Sequence, residues 1–244
     1  MASGFTYKPM AMKLKNVVPL GRSFDEYRLM FNLSKSDLDK SIIGVGDGPA
    51  SFNAEMKEMG NTVVSVDPIY FFTAKDISHK FNKVFDNIIE QVKNTPGDWT
   101  WTYHMSPDDL RDHRIEALNR FTSDFEQGKK EGRYITGELP ALQFQDGAFK
   151  IALCSHLLFL YSDHYDYNFH KAAVYEMLRV AEEVRIFPLL DLMLKQSHYV
   201  EPLIKELERD GYTVKIKKVG YEIQRGGNEM MWIYKRSRNR MLPI

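Results

Sequence analysis

The stretch Ser41-Ile-Ile-Gly44-Val-Gly46-Asp-Gly48-Pro49, followed by Phe52-Asn-Ala-Glu-Met56 and then by Thr62-Val-Val-Ser-Val66-Asp67-Pro68, decides the fold. A short apolar run enters a glycine loop, a stretch of helical period leaves it, and a second apolar run stops at an acidic residue. That pattern is strand, tight turn, helix, strand, the repeating unit of a parallel sheet covered by helices. The glycines Gly44, Gly46 and Gly48 let backbone approach a ligand closely, and the helix that follows offers unpaired amides. Pro49 suits the first turn of that helix, whose apolar face is Phe52, Met56 and Met59 and whose stop is Gly60. Asp67 stands 23 residues after Gly44, where a carboxylate can accept both hydroxyls of a ribose. Loop and carboxylate together point to a nucleoside-containing ligand. Pro49 occupies the place where the dinucleotide fingerprint wants a third small residue, so the loop departs from that fingerprint.

Working outward, Ser23-Phe-Asp-Glu26 reads as a capping box that opens a helix running to Phe31. After Asp67, the residues Ile77, Phe81, Val84, Phe85, Ile88 and Val92 recur at helical spacing, and Ser106-Pro107 starts another helix. A single crossover needs one helix, so residues 69–132 read as a helical insertion over the sheet edge, carrying Trp99, Trp101 and Tyr103. Strands follow at 133–136, 149–155 and 184–187, with helices over 169–181 and 200–207. The end changes rhythm. Thr213–Val219 alternates, Arg225-Gly-Gly-Asn228 is a turn, and Met230–Tyr234 is a last strand, which together make an antiparallel hairpin. The expectation is α/β: one domain over 1–244 with a Rossmann-like sheet, mostly parallel with a C-terminal antiparallel hairpin, and with the insertion after strand two as a partial lid.

Lys+Arg and Asp+Glu number 33 each, a balance without the electrostatic footprint of a nucleic-acid or anionic-membrane binder. No apolar run approaches the roughly 20 residues that span a bilayer, and Met1–Pro9 has no apolar signal core. The one cysteine, Cys154, lies in a buried strand and excludes an internal disulfide. A cytoplasmic enzyme or binding protein acting on a small molecule is expected, with no membrane and no nucleic-acid partner. Asp163–His170 holds metal-capable side chains, but their spacing matches no zinc signature, and no metal is expected. Lys235–Arg240 reads as a solvated basic chain end.

One more stretch carries a family resemblance. Gly137-Glu138-Leu139-Pro-Ala-Leu-Gln-Phe144, then Asp146-Gly-Ala-Phe149-Lys-Ile-Ala-Leu-Cys-Ser155-His156, resembles the segment between strands three and four of the class I methyltransferases that use S-adenosylmethionine (SAM). The likeness covers roughly residues 38–70 and 133–234. Within that superfamily the chain looks like an uncharacterised, bacterial-type subgroup sharing the runs Pro49–Glu55, Ser155–Tyr161, Glu183–Leu189 and Tyr221–Asn228.

The resemblance implies SAM as methyl donor and S-adenosylhomocysteine as product; it does not name the acceptor, for which a small molecule is expected. By it, Gly44, Val45, Gly46, Asp47 and Gly48 cradle the cofactor, Asp67 and Pro68 meet the ribose, and Gly137, Glu138 and Leu139 meet the adenine. Ser155 adds to the same wall, and Met30 and Phe31 fold over the cofactor. The family's acidic residue two positions before the first glycine is Ile42 here, so Asp47 or an N-terminal residue is expected to take the methionyl amine. His156, just past strand four, is the expected catalytic residue as base or acceptor-orienting group. An acceptor pocket is expected between Tyr27, Tyr103, His156 and Arg225. Two other classes remain open: a SAM- or nucleoside-binding protein without catalysis, and an NAD-dependent oxidoreductase, against which Pro49 and the terminal hairpin argue.

Overall fold

The computed structural model describes residue 14 and residues 16–235; the run Met1–Pro9 and the basic run after Lys235 lie outside the described residues. Among the described residues seven strands form one sheet: β1 (Ile42–Val45), β2 (Val63–Val66), β3 (Tyr134–Ile135), β4 (Phe149–Ser155), β5 (Ala181–Phe187), β6 (Tyr212–Lys218) and β7 (Glu229–Lys235). Their order is β3-β2-β1-β4-β5-β7-β6. The pairs β3/β2, β2/β1, β1/β4 and β4/β5 are parallel, whereas β7 runs antiparallel to both β5 and β6. Strand order reverses at β1, which has β2 on one side and β4 on the other. The loops leaving β1 and β4 therefore turn to opposite faces and open a crevice at the carboxyl edge.

Alternation along the strands sends side chains to two apolar layers. Ile43, Val45, Ala152 and Cys154 face one layer, closed by α6 (Tyr167–Val180) and α7 (Val200–Arg209). Ile42, Ile151 and Leu153 face the other, closed by α1 (Phe24–Met30), α3 (Phe52–Glu58) and the insertion; α2 is the single turn Lys35–Leu38. The insertion is two long helices, α4 (Ala74–Asn94) and α5 (Pro107–Lys130), packed on each other. A third cluster of Tyr70, Ile77, Phe121, Phe125 and Tyr134 pins it to the β3 edge. Each such buried ring contributes roughly 1.5–3 kcal/mol over exposure.

Several local readings shift. The capping box is formed as read: the Ser23 hydroxyl accepts from the Glu26 amide and Glu26 accepts from the Ser23 amide. Helix α3 starts later than expected, with Ser51 at its N-cap, so Pro49 lies in the turn before it rather than in its first turn. Met59 is 54% exposed and leaves the apolar face, because the helix has already ended at Glu58. Strand β3 is two residues long, and β5 starts at Ala181 directly after α6, earlier than the Val184 start that the helical period to Ala181 predicts. The link between β6 and β7 is the long segment 219–228 rather than a tight turn, because it packs Tyr221 into the core and reaches the insertion. Among the described residues, no helix is long and apolar enough to cross a membrane.

Candidate functional site

The carboxyl ends of β1, β2, β3 and β4 meet in one cavity of about 940 Å³. Val45, Gly46, Asp47 and Gly48 line it from β1, Asp67 and Pro68 from β2, Gly137, Glu138 and Leu139 from beyond β3, and Ser155 and His156 from β4. Its outer wall is the face of α4 that carries Lys80, Lys83, Val84, Asn87 and Ile88, together with the segment from Asn16 to Arg22.

The glycine loop is held rigid by neighbours that leave its inner side open. The Gly46 amide donates to the Val66 carbonyl at 2.8 Å. The Gly48 amide donates to Asp67 Oδ2 at 2.8 Å, and its carbonyl accepts from the Tyr70 hydroxyl at 2.7 Å. Gly48 has φ +55°, and nothing lies within 4 Å of where its Cβ would be. A side chain there would project into free space that a ligand can fill. Gly44 serves another purpose: its Cβ would sit 1.9 Å from Asp47 Oδ2, and the residue does not line the cavity. Its bareness makes room for the Asp47 carboxylate.

Asp47 is buried and accepts from the hydroxyls of Tyr27 and Ser65, both at 2.7 Å. Desolvation raises its pKa to about 6 against those hydrogen bonds. Asp67 accepts from the amides of Gly48 and Ile69, each at 2.8 Å, and desolvation raises it to about 6 as well, with Glu138 adding repulsion. Each Asp67 oxygen keeps a second lone pair for a ligand.

His156 sits in the left-handed region at φ +52°, a conformation that costs a non-glycine residue energy. The Phe187 carbonyl takes its amide at 2.7 Å, and Ser155 Oγ lies 2.9 Å from its Nδ1. The side chain is 7% exposed, and Nε2 has no hydrogen-bond partner among the described residues. Burial, then the nearby positive Arg22 and Arg114, hold its pKa well below the ordinary value, so the ring is neutral.

Other expected site residues lie elsewhere. Tyr27 is in the core, stacked on Phe52 at 4.4 Å, and its hydroxyl is taken up by Asp47. Met30 and Phe31 are fully buried under the sheet rather than folded over the cavity; only the Met30 sulfur approaches the site, 4.0 Å from Ser155 Oγ. Tyr103 packs on Tyr221 and His104. The Arg225 guanidinium donates to the carbonyls of Gly97 and Trp99, clamping the β6–β7 link to the insertion. A pocket bounded by Tyr27, Tyr103, His156 and Arg225 is therefore not formed: only His156 reaches the cavity. The roof is the α4 face and the N-terminal segment, not the Trp99–Tyr103 run. Cys154 is buried, with burial pushing its thiol up to about 12. His170 places both ring nitrogens against the carbonyls of Asp166 and Leu158, a structural role.

Sequence reading overlooked three features here. Tyr165 and Phe169 stack at 4.2 Å and line the cavity beside Glu138, a flat apolar surface suited to a base; their spacing of four, from the turn before α6 into its first turn, is the available signal. Arg22 lines the cavity from a segment without secondary structure, where no periodicity marks it. His104, Asp109 and His113 bring ligand-type atoms within 4.8 Å of one another outside the cavity, with the two Nδ1 atoms 2.8 Å apart.

No family model matches the chain. It is 34% identical over 223 residues, 91% of this chain and 98% of the other, to the uncharacterized protein MJ0045 of Methanocaldococcus jannaschii. Solved structures to which it is similar include three methyltransferases, each at a TM-score below 0.5. The magnesium protoporphyrin IX methyltransferase of Synechocystis PCC 6803 with bound SAH matches over 82% of this chain and 77% of that one, at 12% identity and TM-score 0.44. A putative RNA methyltransferase of Pyrococcus horikoshii matches over 88% and 84%, at 13% identity and TM-score 0.46. A SAM-dependent methyltransferase of Methanosarcina mazei matches over 80% and 91%, at 12% identity and TM-score 0.41.

Proposed function

The chain belongs to the family of protein MJ0045 of Methanocaldococcus jannaschii, and we propose that it is a methyltransferase that takes a methyl group from SAM and places it on a small-molecule acceptor. One observation carries this reading. The Gly46–Gly48 loop, Asp67, Glu138 and the neutral His156 line one cavity at the switch point of the sheet.

The cavity fits the cofactor. Its volume of about 940 Å³ is within the range of small-molecule sites. The open space at Gly48 admits a ligand against backbone, Asp67 has lone pairs for two ribose hydroxyls, and the Tyr165–Phe169 stack next to Glu138 suits an adenine. Bound there, SAM supplies an activated methyl group for in-line displacement. The protein then has to hold donor and acceptor in line and exclude water, which together supply most of the acceleration. The α4 face and the Asn16–Arg22 segment exclude water. With Nδ1–H donating to Ser155, His156 presents a lone pair at Nε2 that accepts a hydrogen bond from the acceptor's O–H or N–H and orients its nucleophilic atom. The enclosing walls and the zero net charge favour a small acceptor over a nucleic acid.

Calorimetric titration with SAM, S-adenosylhomocysteine and NAD tests the reading, followed by S-adenosylhomocysteine formation in a small-molecule cell extract. Binding of both sulfur nucleosides and turnover in the extract are expected. Binding of NAD alone would replace this reading with the oxidoreductase one. Tight SAM binding with no turnover in any extract would leave a binding protein.

A further inference from the structure

Arg22 stands where the large cavity adjoins a second one of about 80 Å³, and both it and His156 line the two. The smaller cavity is walled mainly by apolar side chains, among them Phe85, Ile88, Trp99 and Leu110. The charges around this junction do not cancel. Arg114 forms a bidentate pair with Glu26, 2.7 Å on each arm, and the two neutralise each other. His104 and His156 are both held below their ordinary pKa by burial and carry no charge. Arg22 remains as one positive charge. Among the described residues its Nη1 donates to the Leu20 carbonyl, its Nε has no partner, and no carboxylate lies within ion-pair distance of it. Desolvation works against the charge, and Arg114 repels it.

Arg22 is half-buried, and a guanidinium partly withdrawn from water gains from an anion that offsets the lost hydration. Its planar fork matches a carboxylate in two parallel hydrogen bonds. The unpartnered Nε2 of His156 at the same junction is a second polar group awaiting a ligand. The wall of the large cavity also carries the acidic side chains Asp47, Asp67 and Glu138.

We propose that Arg22 is the receptor for a carboxylate of a ligand bound in this cleft. The proposal deepens the methyltransferase reading and rests on it. Two sources share that chemistry: the amino-acid end of the cofactor, or an acid group on the acceptor, whose apolar part would enter the smaller cavity.

The test uses Arg22→Gln and Arg22→Lys with three probes: S-adenosylhomocysteine, 5′-methylthioadenosine, which lacks the amino-acid carboxylate, and benzoate, an apolar carboxylate. If the cofactor supplies the carboxylate, Arg22→Gln weakens S-adenosylhomocysteine by about 10- to 100-fold and leaves methylthioadenosine unchanged. Arg22→Lys then recovers part of the loss. If the acceptor supplies it, both nucleosides bind both variants as they bind the parent. Benzoate then raises the melting temperature of the parent, with or without nucleoside, and not that of Arg22→Gln. Removing an unpaired charge should leave the ligand-free melting temperature equal or higher, which a merely structural arginine would not do. Unchanged nucleoside binding together with no benzoate effect on the parent overturns the proposal. Failure of the parent to bind either nucleoside sinks the methyltransferase reading instead, and benzoate on the nucleoside-free protein then decides Arg22 alone.

Discussion

The Gly48 amide and the Asp67 carboxylate meet at 2.8 Å, so the end of β2 fixes the loop that leaves β1. Cutting back Asp67 should therefore have two effects. A hydrogen bond to a charged acceptor is worth about 1.5–3 kcal/mol, so Asp67→Ala should weaken S-adenosylhomocysteine by roughly 10- to 100-fold. The amides of Gly48 and Ile69 also lose their acceptor, which should lower stability by about 1–3 kcal/mol. Calorimetry and chemical denaturation separate the two. Unchanged affinity in a folded variant would take Asp67 out of the site.

The raised carboxylates predict an unusual pH dependence. Asp47 titrates near 6 in the folded protein and near 4 when unfolded, so the folded state holds the extra proton between those values. Stability from this group falls as pH rises through that window, by up to about 3 kcal/mol. Asp47→Asn lacks the penalty and can still accept from Tyr27 or Ser65. Relative to the parent, the variant should gain stability between pH 4.5 and pH 7.5, with other titrating groups cancelling in the comparison. A difference that stays constant across that range would show that Asp47 is not perturbed. Asp67 is half-buried and should add a smaller effect of the same sign, reversed when a nucleoside binds its ionised form.

The glycines of the loop separate by role. Gly46→Val should destabilise the fold, because a Cβ there would lie 2.4 Å from Leu157 on a backbone at φ +70°. Of the three loop glycines, Gly48 is the one whose Cβ would enter open space, so the ligand test belongs there. Gly48→Ala meets no atom of the described residues and costs only the left-handed strain, about 1–2 kcal/mol. It should still remove most S-adenosylhomocysteine affinity. Equal affinity in Gly48→Ala and parent would show that the loop is only a turn.

Strand-ending residues were legible in the sequence because each is marked by local chemistry: a glycine loop, an acid after an apolar run, a glycine-glutamate pair. Hence Gly46, Asp67, Glu138 and His156 come together around one cavity. What failed were side chains assigned by proximity in the chain. Tyr27, Tyr103 and Arg225 lie near the carboxyl edge, but where a long side chain ends depends on which partner takes it, and that partner is remote: Asp47, Tyr221 and the Gly97 carbonyl respectively. Arg22 escaped notice for the opposite reason, since its segment has neither period nor motif.

The insertion is tied to the N-terminal helix by Glu26 and Arg114, 88 residues apart and 0% and 3% exposed. Tyr221 donates to Glu26 Oε1 at 2.7 Å, so three distant segments share one carboxylate. Arg114→Met would leave Glu26 buried without its cation and should cost about 3–5 kcal/mol. Replacing both partners, as in Glu26→Gln with Arg114→Met, should recover much of that loss. If the single and double variants melt together, the pair contributes nothing and another contact holds the insertion.

His156 lines the cavity beside Ser155. Its backbone occupies the left-handed region, which asparagine tolerates better than most residues, so His156→Asn removes the imidazole with little added strain. The ring is buried, neutral, and unpartnered at Nε2, and Ser155 holds Nδ1. A group that orients the acceptor, and does not bind the cofactor, should leave nucleoside affinity nearly unchanged when removed. Turnover in the small-molecule extract should fall by about 100-fold or more. Because the pKa of His156 lies well below its ordinary value, the turnover rate at saturating SAM should show no imidazole inflection between pH 6 and 8. Full turnover in His156→Asn would reduce His156 to a wall of the cavity. A parallel loss of S-adenosylhomocysteine affinity would move its role from the acceptor to the cofactor.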